Sequence, residues 1–361
     1  MAIDASLIEA DANKQNSTPK EDWDAQQIDP ADALRNTVAV LIVTCPCALA
    51  LATPVAAAIS VGRLADNGLL ADSEDTLGSD NAFGFPSGQY EIGLAIQDRT
   101  FDADGSLFYS AQLEDAFKGD YAVVNGKISP YLFVDQGKYR FRMLNGSQSR
   151  EYIYRLENIT DPGNDPSFTL IGTDLGLVGA PIDLGNSTDT PIAPAERLDV
   201  IIDFAGFPAG TEIILRNDEP TPPLLPSIMK FIVTGNPGHT GTVASTLRPV
   251  SPLANPDVTR YFRLKREAGA ACKDGSGRLV NEWLIESLDG PGGNVTGKFW
   301  DDVTEFPILG NREVWQFENP TSVMHPMHIH LVKFDVMSAD GAANGWNYED
   351  GTLSPDEVAE R

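Results

Sequence analysis

Three of the four histidines in this 361-residue chain fall within Met324-His325-Pro326-Met327-His328-Ile329-His330. Neutral imidazole is the commonest side-chain metal ligand, and copper and zinc both favour it. The spacing has physical content. Side chains on a strand alternate faces, so His328 and His330 are expected to point the same way. His325 lies three residues before His328 and precedes a proline, so it belongs on the loop that enters the strand or points elsewhere. One short stretch can therefore serve two neighbouring metal positions. A second pair of soft donors, Cys45 and Cys47, flanks Pro46 far upstream. Two thiolates select Cu(I).

The elements that must carry these residues differ. Val38 to Val61 contains no charged residue and is long enough to cross a bilayer as a helix. It starts too far from Met1, with too long an apolar core and no basic leader, for a signal peptide. From Gln89 onward the pattern is β. Tyr139, Phe141 and Met143 alternate with Arg140 and Arg142, the mark of a half-buried strand. Leu198–Phe204 and Thr211–Leu215 read as core strands joined by a Gly- and Pro-containing turn. Glu219-Pro220-Thr221-Pro222-Pro223 reads as a loop, because proline cannot donate to a central ladder. Asn236 to Asn255 reads as a polar linker before a second β region from Thr259 to about Met337. Asp98, Asp174 and Asp199 are expected at turns or on solvated faces, and His239 on a solvated loop. Asn158, Asn186 and Asn294 head glycosylation-type triplets, weak signals in a loop-rich chain.

Composition sets limits. Apolar residues make up 42%, enough for packed cores, and 32 glycines and 25 prolines suit many short strands and turns. With 26 basic and 52 acidic residues the net charge is −26. Such a surface repels nucleic acid and anionic membrane faces, and it suits a high-salt habitat as well as ordinary solubility. The three cysteines, Cys45, Cys47 and Cys272, offer no disulfide framework. There is no glycine-rich phosphate loop and no Ser/His/Asp arrangement.

The text around the histidines resembles the multicopper oxidases, the family of laccases, bilirubin oxidases and spore-coat oxidases. The resemblance rests on Gly310–Trp315, Asn319-Pro320-Thr321 and His325–Phe334, and upstream on Phe85–Tyr90, Ile96–Arg99, Asp104–Tyr109, Val124–Lys127, Tyr139–Asn145 and Ala193–Phe204. These motifs run in family order from about Ser73 to about Val336. The resemblance implies a copper cofactor, with His325 as a type 1 ligand, His328 as a type 2 ligand and His330 as a type 3 ligand. It also implies oxidation of phenols, pigments or metal ions with dioxygen reduced to water. The departures are large. The family builds its type 1 site from two histidines and a cysteine, and its trinuclear cluster from eight histidines. Its first-domain His-x-His pairs and its His-Cys-His run have no counterpart in this sequence. The expectation is a chain that is incomplete and inactive by itself, with another chain as the candidate supplier of the missing cupredoxin domain.

Ala39–Pro54 and Gly62–Leu70 resemble a different family, the copper-transporting P-type ATPases, whose Cys-Pro-Cys helix holds the ion midway across the membrane. No phosphorylation motif or nucleotide-binding domain accompanies it. The chain reads as a fusion of a pump fragment with an oxidase fragment, such as a natural gene fusion, a decayed gene or an assembly error would each produce.

The expected architecture is mainly β: two cupredoxin-like Greek-key β-sandwich regions, the second incomplete, preceded by one hydrophobic, membrane-type α-helix. The divisions are an acidic disordered segment over 1–32, the Cys-Pro-Cys helix over 33–72, a domain matching the oxidase middle domain over 73–240, a linker over 241–258, and a partial third domain over 259–361. Membrane association through residues 38–61 is expected if the helix inserts, with the oxidase part periplasmic or extracellular. Copper ions are the expected partners; nucleic acid is not. The alternatives are a non-catalytic membrane-tethered copper-binding module and a fragment of a copper pump.

Overall fold

The structure is a computed structural model that describes residues 83–108, 117–174, 176–189, 191–249, 255–273, 279–298, 303–321 and 325–327. It forms two compact units, one through Pro249 and one from residue 255 through His325. Among the described residues the structure is β apart from one 3-10 turn, Gly88–Tyr90. Cys45, Cys47 and the apolar run 38–61 lie outside the described residues, as do the 1–32 segment and the rest of 33–72. Within the described residues no helix is long and apolar enough to cross a membrane.

The first unit contains β1 (Glu91–Phe101), β2 (Leu107–Phe108), β3 (Tyr121–Val124), β4 (Lys127–Ile128), β5 (Tyr131–Gln136), β6 (Lys138–Asn145), β7 (Tyr154–Asn158), β8 (Phe168–Thr173), β9 (Gly176–Asp183), β10 (Arg197–Asp203), β11 (Glu212–Asn217) and β12 (Ser227–Pro237). One sheet runs β4-β3-β1-β6-β10-β8-β9 with β2 on the outer end of β1; the other runs β5-β12-β11-β7. The β1–β6 and β5–β12 pairs are parallel and the remaining pairs antiparallel. β11 shows why the chain folds this way. Ile213, Leu215 and Asn217 are buried while Glu212, Ile214 and Arg216 are not, so one face of the strand meets the core. Phe141 of β6 meets Phe231 of β12 at 5.3 Å between ring centres, and Phe204 meets Phe231 at 5.5 Å, joining the two sheets. Each such ring contributes about 1.5–3 kcal/mol through burial. The β3–β4 hairpin turns on Asn125 and Gly126, both at positive φ (51° and 77°), the backbone that an Asn-Gly turn supplies. Asn125 also accepts from the Ala95 N–H at 2.8 Å and donates to the Gly93 carbonyl at 2.9 Å, which pins the turn to β1.

Several local expectations change. Strand β6 is buried on both faces rather than one. Arg140 is only 2% exposed: its Nε donates to Asp199 at 2.9 Å and its guanidinium lies 5.0 Å over the Phe85 ring. The segment before β1 covers what alternation marked as a solvated face. Of the three aspartates, Asp174 does lie on the turn between β8 and β9, but Asp98 and Asp199 are in strands, and each of the three is paired with an arginine. Asp199 pairs with Arg140, Asp174 with Arg197 at 2.7 Å, and Asp98 with Arg150 at 2.8 Å, both partners of the last pair being fully buried. Asn158 is buried and hydrogen-bonded within the protein: its side-chain oxygen accepts from the Thr160 and Asp161 N–H groups and its amide donates to the Asn164 carbonyl. His239 is half-buried, with its Nε2 3.3 Å from the Gly84 carbonyl. Residues after β12 stay on the first unit, where Leu247 enters the core and the Ala244 N–H donates to the Phe83 carbonyl.

The second unit is one sheet, β15-β14-β13-β16, formed by β13 (Val258–Lys273), β14 (Leu279–Leu288), β15 (Val295–Lys298) and β16 (Glu313–Glu318). Its pairing repeats that of the first unit. β1 has an antiparallel neighbour, β3, and a parallel one, β6; β13 has an antiparallel neighbour, β14, and a parallel one, β16. Phe262 is fully buried between Trp315 and Phe317, at 4.9 and 5.0 Å between ring centres. Arg260 clamps the sheet from the side. Its Nε and one terminal nitrogen donate to Glu313 at 2.7 and 2.9 Å, and the other reaches Glu305 at 2.5 Å.

Candidate metal centre

Parallel pairing with β13 carries β16 to Glu318, and the chain then turns through Asn319-Pro320-Thr321. The Asn319 side-chain oxygen accepts from the Thr321 N–H at 3.1 Å and from the Thr321 hydroxyl at 2.6 Å. Local bonds of this kind are what Asn and Thr supply at the end of a strand. The Thr321 oxygen lies 2.9 Å from Nε2 of His325. The imidazole also meets Trp283 of β14 edge to face, 5.0 Å between ring centres. Arg266 of β13, the register partner of Trp283, sits 5.3 Å from the centre of the indole.

His325 is half-buried, and burial pushes its pKa below the usual imidazole value. The ring is therefore neutral at pH 7, the form that binds metal. It fits a copper site as one nitrogen ligand. His328 and His330 lie outside the described residues, as do Cys45 and Cys47, so the structure places one of the five expected ligands. Among the described residues no group of three or more His, Cys, Asp or Glu side chains converges as a metal site would require.

Two residues around His325 escaped the sequence reading. Thr321 stood within the Asn319-Pro320-Thr321 motif, and its Asn-x-Thr spacing was the available signal for a turn that presents a hydroxyl. Trp283 comes from a different strand, and no local pattern links it to His325.

A sequence model of the multicopper oxidase family matches residues 294–355, the stretch that contains all three clustered histidines. A laccase of Bacillus stratosphericus is 37% identical over 273 residues, covering 70% of this chain and 49% of the relative. A laccase of Haloferax volcanii is 31% identical over 299 residues, covering 80% of this chain and 47% of the relative. The chain thus spans about half the length of the curated relatives it matches. Among solved structures, the McoA multicopper oxidase of the hyperthermophile Aquifex aeolicus superposes with a TM-score of 0.54 at 27% identity, over 72% of this chain and 54% of that one. The multicopper oxidase of Campylobacter jejuni, at 19% identity and a TM-score of 0.52, shares the fold. Copper is the cofactor these homologues imply. Over the residues these matches cover, the chain is similar to the multicopper oxidases.

Proposed function

We propose that this chain is a copper-binding member of that family whose own ligands are His325, His328 and His330, and that it is incomplete as an oxidase by itself. The observation that carries the reading is the coincidence of the family match over 294–355 with the chain's concentration of histidine at 325, 328 and 330. The family reaction is oxidation of phenolic, pigment or metal substrates coupled to reduction of dioxygen to water. Bound copper would supply one-electron redox chemistry at the histidines. The chain's own contribution is to present the His325 imidazole beyond the end of β16 and to hold it between Thr321 and Trp283.

The inactivity part of the reading follows from ligand arithmetic. A fast one-electron type 1 site needs a cysteine thiolate beside two imidazoles, and no cysteine of this chain stands next to a histidine. Two further imidazoles cannot hold three copper ions. The remaining ligands would have to be supplied from outside these three histidines, a partner polypeptide carrying another cupredoxin domain being one source. Copper titration of the purified chain, alone and with His325, His328 and His330 replaced by Ala, tests the ligand assignment. Equal copper retention by the two proteins would place the metal elsewhere.

The charge-free run Val38–Val61 with its Cys45-Pro46-Cys47 centre favours a second reading, a membrane-tethered copper-binding module derived from a copper pump. It places the chain at a membrane, with the β units on the periplasmic or extracellular side. Pro46 would on this reading open such a helix, which a membrane tolerates where other groups satisfy the freed backbone. On this reading, replacing Cys45 and Cys47 with Ser abolishes Cu(I) retention by detergent-solubilised protein. A full-length chain that stays monomeric and soluble without detergent would exclude the membrane tether.

A further inference from the structure

We infer that Asn319 and Thr321 form a positioning relay that sets which nitrogen of His325 carries the proton. The inference concerns the apo protein and extends the copper reading of His325, on which its consequence for the metal rests.

The proton count is short. The Asn319 side-chain atom facing Thr321 accepts from a backbone N–H at 3.1 Å, so it is the amide oxygen and has no hydrogen to give. The Thr321 hydroxyl stands 2.6 Å from that same oxygen, so its single hydrogen lies between them. The hydroxyl oxygen can then meet His325 Nε2, 2.9 Å away, only as an acceptor. Nε2 must carry the ring hydrogen, and the lone pair of the neutral imidazole falls on Nδ1. Pro326 adds to the constraint, because a residue before proline is held to extended backbone. Backbone, ring orientation and tautomer are thus set before any metal arrives.

The first unit carries the same kind of turn, with a different recipient and with its hydroxyl not bonded to the Asn oxygen. β6, the counterpart of β16, ends at Asn145, whose side-chain oxygen accepts from the Ser147 N–H at 2.9 Å. The Ser147 hydroxyl accepts from the Asp98 N–H at 3.2 Å and pairs with the Tyr152 hydroxyl at 2.9 Å. In both units an Asn-x-Ser/Thr turn ends the strand that lies parallel to the unit's first strand and presents a hydroxyl. In the first unit that hydroxyl ties down a buried tyrosine, five residues on. In the second, four residues on, it meets the imidazole. A hydrogen bond to the far nitrogen of a ligating histidine fixes tautomer and orientation, and its loss typically weakens metal binding 10–100-fold.

The test uses the full-length apo chain labelled with 15N in histidine. Four histidines give a readable spectrum, and the signals missing from His325→Gln assign His325. Long-range proton–nitrogen correlations at alkaline pH should show the Nε2–H tautomer alone in the wild type and in Thr321→Ser. Thr321→Val should give a mixture of tautomers, and Asn319→Ala, which frees the hydroxyl hydrogen, should raise the Nδ1–H fraction. Cu(II) titration should then show binding about tenfold weaker in Thr321→Val and near wild-type in Thr321→Ser. A wild-type Nδ1–H tautomer, or a Thr321→Val spectrum unchanged from wild type, overturns the relay. Wild-type and His325→Gln chains that bind Cu(II) equally would instead overturn the copper reading and leave the relay standing.

Discussion

Replacing Arg150 with Ala should destabilise the first unit more than any exposed substitution. Arg150 and Asp98 are both fully buried. The guanidinium makes three bonds: Nε to Asp98 at 2.8 Å, and its terminal nitrogens to the Pro223 carbonyl at 2.9 Å and the Gly119 carbonyl at 2.8 Å. The Gly119 N–H also donates to Asp98 at 2.6 Å, and a side chain at Gly119 would collide with the Arg99 backbone. One cation therefore ties the end of β1 to two loops. Its removal leaves a buried carboxylate with only the Gly119 and neighbouring dipoles for company. Breaking such a pair from one side costs about 3–5 kcal/mol, or about 6–20 °C in Tm for a unit of this size. Removing both charges, in Asp98→Leu with Arg150→Met, should cost less than Arg150→Ala alone. The first unit's described residues contain no tryptophan, so the assay is urea unfolding followed by near-ultraviolet circular dichroism of its tyrosines, including the stacked Tyr152–Tyr154 pair at 5.4 Å. An Arg150→Ala chain within about 0.5 kcal/mol of wild type would refute the buried pair.

Burial raises the Tyr139 phenol to about 12, against about 10 for an exposed tyrosine. The unfolded chain ionises first, so stability should fall as pH rises through that window; urea midpoints should show the fall, reduced in Tyr139→Phe. Hydrogen bonds from Arg260 hold the Glu313 carboxyl below its usual range. That contribution is present above the ordinary carboxylate pKa and is lost as pH falls through the folded value, so acid unfolding followed by tryptophan fluorescence should begin at higher pH in Arg260→Gln. Asn125→Ala removes the bonds to Ala95 and Gly93 and strains a positive φ. It should cost about 1–3 kcal/mol in the same circular dichroism assay, and a cost near zero would exclude the pinned hairpin.

The β class was legible because alternation is strong where one face meets the core, as in β11 and β7. It misled at β6, where Arg140 alternates like a surface residue but lies beneath Phe85 and pairs with Asp199. Periodicity reports which residues share a face. It does not report whether another segment covers the polar one. The buried Asp98 was hidden for a related reason: its partner is 52 residues away, and a chain with 52 acidic residues makes any one of them look solvated. At the candidate site, clustered histidine marked His325 directly. Its setting depends on Trp283 from another strand and on a hydroxyl whose role appears only when the turn after β16 is closed.

The central claim is that this chain holds copper through the His325–His330 cluster without being an oxidase by itself. It is tested most directly on purified, copper-loaded full-length protein, by recording its visible spectrum and its dioxygen consumption with a phenolic substrate. The expected result is pale copper that is lost when His325, His328 and His330 are replaced by Ala, no intense blue charge-transfer band, and no phenol oxidation above that of free copper. A blue band with steady dioxygen consumption, in a preparation shown to contain this polypeptide alone, would contradict the account.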